Sequence, residues 1–180
     1  MIYVFLANGF EETEAVAPID MLRRAGEELK TVGVTGKTVT SSHGVTVTAD
    51  ITADEIRLDD ALKMIVLPGG MPGTNNLEAS ADVQRAIDFC AENGRFIGAI
   101  CAAPKIIGAK GLLSGRKAVC FPGFESFLEG ADVQKDIVVR DGDYVTAKGA
   151  GAAVAFGLKL VEALSGKALA DKLEAQIQCR

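Results

Sequence analysis

The chain has 180 residues, 48% of them hydrophobic and 24% charged, with a formal net charge of -5, four cysteines and one histidine. A chain of this length buries roughly 70% of the surface its unfolded form exposes, so neither a disulfide framework nor a structural metal is needed for stability. The negative balance, without a Lys/Arg cluster, argues against a nucleic-acid or anionic-membrane partner, and a lone His43 excludes most imidazole-built metal sites.

Met1 to Leu6 lack the basic start and long apolar run of a signal peptide, and no segment approaches the ~18 consecutive apolar residues of a membrane helix. The cytoplasm is the expected location, where the four thiols stay reduced and each serves either packing or chemistry. A single domain over residues 1–180 is expected, without repeats or linkers.

In chain order, the apolar run Ile2 to Ala7 leads into a helical stretch at about Glu12 to Ala25, and the run Leu29 to Val34 follows. Between Lys37 and Ile51, Val39, Val45, Val47 and Ile51 recur among Thr and Ser, which predicts a small antiparallel hairpin or extension. Met64 to Leu67 is a continuous rather than alternating run, the pattern of a strand covered on both faces. In the helix predicted over Ala81 to Asn93, Val83, Ala86, Ile87, Cys90 and Ala91 form one stripe that stops at Asn93-Gly94. The strand Phe96 to Ile100, a helix at Ala102 to Ala109 and the runs Lys117 to Cys120 and Tyr144 to Ala147 continue the alternation. Helices over Gly151 to Leu164 and Lys167 to Gln176 close it. The pattern predicts a doubly wound α/β domain with a mainly parallel sheet, whose ligands sit at the carboxyl ends of the strands.

Three of those strand ends carry possible chemistry. Asn8-Gly9-Phe10-Glu11-Glu12-Thr13-Glu14 opens a helix with three carboxylates, which either complement the helix dipole or do chemistry. Leu67-Pro68-Gly69-Gly70-Met71-Pro72-Gly73 matches neither the Rossmann fingerprint nor the P-loop. It reads as a tight turn or as a loop whose N–H groups approach an anion. At Gly98-Ala99-Ile100-Cys101-Ala102-Ala103-Pro104, a buried strand ends at a cysteine and Pro104 falls in a helix's first turn. The arrangement is similar in mechanism to a nucleophile elbow, though not in its G-x-S-x-G pattern. The dipole of the following helix should lower the Cys101 pKa. Cys90 lies on an apolar helix stripe and Cys120 within a strand, so both read as core, while Cys179 is near the terminus.

Together, Ile100-Cys101-Ala102, Leu67-Pro68-Gly69-Gly70 and Gly9-Phe10-Glu11-Glu12-Thr13-Glu14, with Pro18, Asp20 and Arg23-Arg24-Ala25-Gly26, resemble the ThiJ/PfpI superfamily from Ile2 to about Leu169. The resemblance implies a flavodoxin-like α-β-α sandwich that forms a homodimer and uses no cofactor or metal. It implies Cys101 as nucleophile and redox centre, Glu14 as the buried acid beside it, and Gly70 and Ala102 as oxyanion-hole donors. Gly69 would belong to the same loop, and Gly149 would line the pocket. The segment Gly149-Ala150-Gly151 departs from the Gly-Pro-Gly usual in this branch, a change in loop stiffness rather than chemistry.

Phe121 occupies a position where many members carry a histidine, so no Cys-His dyad forms there. His43, where relatives often carry an arginine reaching the neighbouring subunit's site, reads either as a solvated hairpin residue or as a group lining the partner's pocket. Three function classes follow. One is an enzyme acting on small reactive carbonyls or their glycated adducts (glyoxalase- or deglycase-like) through a Cys101 thiolate and a Glu14 proton shuttle. The second is a non-catalytic redox sensor or chaperone in which Cys101 becomes a sulfinic acid. The third, a cysteine peptidase or amidase, is weakened by the missing imidazole. Nucleotide or flavin binding rests on fold analogy alone.

Overall fold

The computed structural model describes residues 1–179. Its strands are β1 (Ile2–Leu6), β2 (Leu29–Gly33), β3 (Thr38–Thr40), β4 (Thr46–Thr48), β5 (Ile51–Thr52), β6 (Met64–Leu67), β7 (Phe96–Ile100), β8 (Lys117–Ala118), β9 (Asp132–Val133), β10 (Val138–Asp141) and β11 (Tyr144–Ala147). The helices are α1 (Glu12–Arg24), α2 (Gly73–Ala79), α3 (Ala81–Glu92), α4 (Pro104–Gly108), α5 (Ala153–Ser165) and α6 (Lys167–Gln176). Seven strands form the central sheet in the order β10-β11-β7-β6-β1-β2-β5, and only β10 runs antiparallel to its neighbour.

The two-residue period of a strand divides the core into two layers. From β1, Ile2, Val4 and Leu6 pack with α1, α5 and α6 on one face, while Tyr3, Phe5 and Ala7 pack with α3 and α4 on the other. Both faces being covered, the middle strands need the continuous apolar runs that the sequence carries. Gly98 in the middle of β7 is a packing position: a Cβ there would lie 2.8 Å from Leu160 Cδ2 and 3.1 Å from Phe156 Cζ of α5. The hairpin predicted between Lys37 and Ile51 forms as β3 and β4, and Ile51 itself passes into β5 at the sheet edge.

Two expectations are corrected. The run Lys117 to Cys120 is not a strand of the central sheet: only Lys117 and Ala118 are extended, paired with β9. Beyond them the chain is drawn across the strand ends, because the Val119 N–H donates to Thr146 Oγ1 (3.0 Å) and the Phe121 N–H to the Cys101 carbonyl (2.8 Å). The helix expected over Ala102 to Ala109 shortens to Pro104–Gly108, since Ala102 and Ala103 are spent in the turn that follows the cysteine. Helix α2 and the edge strand β10 are additional elements.

Candidate active site

Strands β1, β6 and β7 end side by side, and three loops converge there. Cys101 follows β7 with φ +64, a left-handed conformation that costs a non-glycine residue about 1–2 kcal/mol. Three hydrogen bonds hold it: Cys101 N–H to the Ala147 carbonyl (2.9 Å), Phe121 N–H to the Cys101 carbonyl (2.8 Å), and Ala103 N–H to the Ile100 carbonyl (3.0 Å). The expected elbow is therefore a real backbone turn, and it lifts a half-buried thiol off the sheet end.

Glu14 lies in the first turn of α1, a position set by Glu11, whose carboxylate caps the helix by accepting the Glu14 N–H at 2.7 Å. The Glu14 side chain is 1% exposed. Its Oε2 accepts the Gly69 N–H at 2.9 Å, and its carboxyl group hydrogen-bonds the Cys101 thiol. Glycine is required at residue 69, because a Cβ would lie 2.5 Å from Glu14 Oε2 and 2.6 Å from Cys101 Cβ. Gly70 follows at φ +89, with its missing Cβ only 2.4 Å from the Glu11 nitrogen. Gly149 stands on the far side of the carboxyl, where a Cβ would lie 4.0 Å from Glu14 Oε1.

The pair shares a strained proton balance. Burial raises the Glu14 carboxyl to about 7, against its hydrogen bonds from Cys101 and Gly69, and the Glu11 charge pushes it further up. Burial likewise pushes the Cys101 thiol up to about 12, with the Glu14 charge and hydrogen bond adding to it. The backbone N–H groups of Ala102 and Gly70 oppose that rise by hydrogen-bonding the sulfur. This corrects the expected lowering by a helix dipole: α4 is five residues long, and burial beside a carboxylate outweighs it. Thiol with carboxylate and thiolate with carboxylic acid are two tautomers of one singly charged coupled pair: the raised values make the first the main form, and charge repulsion arises only when both protons are lost.

A model of the DJ-1/PfpI family matches residues 1–163. The chain belongs to the DJ-1/PfpI family. Arabidopsis thaliana DJ-1 homolog B is 35% identical over 99% of this chain, and the glutathione-independent glyoxalase DJR-1.2 of Caenorhabditis elegans is 29% identical over 87% of this chain and 83% of its own length. The chain spans less than half the length of Arabidopsis homologs B and A, 41% and 46%. Oxidized Toxoplasma gondii DJ-1 superposes with a TM-score of 0.93 at 36% identity, covering 98% of this chain and 97% of the other. A DJ-1/PfpI fold thus surrounds the convergence of Cys101, Glu14, Gly69, Gly70 and Ala102.

His43 sits apart, on the β3–β4 turn, 70% exposed, with Nδ1 3.2 Å from both Glu12 Oε2 and Ser42 Oγ. Glu11, Glu12 and His43 have ligand-type atoms within 4.8 Å of one another, but Glu11 is already committed to capping α1. Cys90 and Cys120 are buried, as expected, and Cys179 is exposed. Among the described residues no helix is long and apolar enough to cross a membrane. Lys105 was not anticipated from sequence. It is 8% exposed, pairs with Glu78 Oε2 at 2.8 Å and Asn75 Oδ1 at 2.9 Å, and its only linear signal is one charge inside Pro104-Lys105-Ile106-Ile107.

Because the folded pKa of Glu14 is raised from 4.5 to about 7, its protonation stabilises the fold fully below pH 4.5, and that contribution is lost as pH rises to about 7. At 1.36 kcal/mol per unit the loss is about 3 kcal/mol. Urea unfolding of wild type and Glu14→Gln at pH 5 and pH 8 should show the variant gaining on wild type by this order at pH 8. Parallel pH profiles for the two proteins would contradict the raised carboxyl.

Proposed function

We propose that the protein is a cysteine-dependent, cofactor-independent stress-response enzyme acting on reactive carbonyls, as a glyoxalase or deglycase. The observation that carries this reading is the contact of Cys101 with a 1%-exposed Glu14 raised to about 7, in a chain whose one histidine lies on the hairpin against Glu12. The name of the Caenorhabditis elegans relative supports the same class. Methylglyoxal serves as the worked case. The Cys101 thiolate adds to the aldehyde carbon, forming a C–S bond, and the new alkoxide takes the Glu14 proton to give a hemithioacetal. Glu14 carboxylate then removes the proton from that carbon and returns it to the adjacent one, while the hydroxyl proton of the hemithioacetal passes to the neighbouring ketone oxygen, leaving a lactoyl thioester. Water cleaves the thioester to lactate and the thiolate, one of the two protons released returning to Glu14 and the other passing to solvent. The Gly70 and Ala102 N–H groups stabilise negative charge at the reacting centre throughout.

A second reading is peroxide sensing. It is favoured by the likeness to a structure of oxidized DJ-1 and by Cys101 being the half-buried thiol while Cys90 and Cys120 are buried. Two equivalents of peroxide, each reduced to water, would carry the thiolate to a sulfinate held by Glu14 and the same N–H groups.

We also propose a homodimer formed through α1 and the β3–β4 hairpin. Val16 and Val45 are exposed there, beside a groove of about 220 Å³ floored by Leu6, Phe10 and Ile19. A second copy on this face would bring its His43 near its partner's α1, the element that carries Glu14.

With purified protein, lactate formation from methylglyoxal should vanish in Cys101→Ser and fall by roughly 100-fold or more in Glu14→Gln. In wild type kcat/KM should rise with pH through about 7, as the pair loses its first proton. Equal turnover in all three proteins would sink the carbonyl reading. Intact mass after graded peroxide should show two added oxygens in wild type and none in Cys101→Ala. Earlier oxidation at Cys179 would remove the sensor reading. Sedimentation should find a dimer that Val16→Arg dissociates, and a wild-type monomer at micromolar concentration would overturn the assembly.

A further inference from the structure

On the Gly149 side of the carboxyl lies a largely apolar cleft of about 500 Å³, bounded by Phe121, Pro122, Ile137, Lys148 and the segment 149–152. Phe121 and Ile137, its two large walls, are 46% and 56% exposed. The Phe121 ring is not a loose surface group. Its backbone N–H is bonded to the Cys101 carbonyl at 2.8 Å, and its ring packs edge-on against Phe124 with centroids 6.5 Å apart.

The cleft and the reactive pair meet at Gly149. A Cβ on Gly149 would lie 3.3 Å from the Phe121 ring and 4.0 Å from Glu14 Oε1, so the absent side chain leaves a passage between ring and carboxyl. Glu14 Oε2 is engaged by Gly69, whereas Oε1 is the oxygen facing this passage. An apolar cavity of ~150 Å³ already accommodates a benzene ring, so this cleft has room for an aryl group and is far larger than a methyl group needs. Phe121 supplies an aromatic wall against which such a ring packs edge-on or offset.

We infer that this cleft binds the substituent carried by the reacting carbonyl, and that the preferred substrates are α-oxo aldehydes bearing a flat apolar or aryl group rather than a methyl. The assignment rests on the carbonyl chemistry proposed for Cys101 and Glu14. The aldehyde carbon sits at the sulfur and takes the new C–S bond, its oxygen takes the Glu14 proton, and the aryl group extends past Gly149 onto Phe121. Phe121 and Ile137 are then specificity-determining residues.

Two measurements on wild type, Phe121→Ala and Ile137→Ser separate this assignment from the activity beneath it. The first is the ratio of kcat/KM for phenylglyoxal to that for methylglyoxal. The second needs no turnover: the ratio of Cys101 alkylation rates with phenacyl bromide and bromoacetone, in which the thiolate forms a C–S bond and bromide leaves, set against the same ratio for free N-acetylcysteine. Both ratios should favour the aryl compound in wild type and fall by about tenfold in Phe121→Ala, the usual scale for one apolar contact in a specificity pocket. Ile137→Ser should lower both with the ring retained. An alkylation ratio in wild type equal to that of the free thiol, or ratios unchanged in both variants, overturns the cleft assignment. Absence of turnover on either glyoxal with a cleft-dependent alkylation ratio overturns the glyoxalase reading and leaves the cleft as the binding site for an aryl electrophile.

Discussion

A carboxyl group buried against a thiol is the constraint around which this end of the molecule is arranged. An ionised carboxylate without water has to be compensated by hydrogen bonds or has to keep its proton, and Glu14 does some of each. Gly69 N–H satisfies one oxygen, while burial and the nearby Glu11 charge hold the proton to about pH 7. Glu11 has two effects at once. Its carboxylate caps α1, which fixes where Glu14 points, and its charge makes Glu14 harder to ionise. The glycine at residue 69 is part of the same arrangement, because any side chain there would enter the space between the Glu14 carboxyl and the Cys101 side chain.

Keeping sulfur and backbone donors in register requires the loops after β6 and β7 to move together. Lys105 supplies such a tie. It follows the elbow in α4, while its partners Glu78 and Asn75 belong to α2, which begins directly after the glycine loop. Its ammonium also lies 5.5 Å from the centre of the Phe127 ring, in the turn beyond Phe121. One buried cation therefore joins the three segments that bear Cys101, Gly70 and Phe121. The Lys105 ammonium is buried while the Glu78 side chain is 38% exposed, so it is loss of Glu78 that leaves a buried charge short of its partner.

Which parts of this were legible in the sequence follows from the range of the interactions. Ile65-Val66-Leu67 announces a strand covered on both faces, and Cys101 followed by small residues and Pro104 announces the elbow, because each depends on neighbours along the chain. Lys117 to Cys120 has the same apolar look but stays out of the central sheet, since the Thr146 hydroxyl takes the Val119 N–H and the Cys101 carbonyl takes the N–H of the following Phe121, both from a distance. The direction of the Cys101 pKa failed for the same reason. A helix dipole is local and visible in sequence, whereas burial and a carboxyl 87 positions upstream are tertiary. The Phe121–Ile137 cleft has no periodic signature, because its walls come from separate loops. Lys105 gave only a single charge among apolar residues.

The chemistry proposed here depends on how one proton can be shared among few atoms. Amide cleavage has to protonate a departing amine, for which a peptidase uses an imidazolium held between nucleophile and leaving group. The chain's one histidine, His43, lies on the hairpin against Glu12, and the acid beside Cys101 is Glu14. Conversion of a hemithioacetal to a hydroxyacyl thioester needs less reach: a proton passes between atoms one or two bonds apart, and a single carboxyl with two oxygens spans that distance. Glu14 has one oxygen anchored by Gly69 and the other facing the Gly149 passage, so in the proposed reaction anchoring and shuttling would fall to different atoms. Oxidation of Cys101 would use the same carboxyl merely as a fixed donor. The two proposed roles thus place different demands on one side chain, since turnover requires Glu14 to give up and regain its proton while a held sulfinate requires it to keep it.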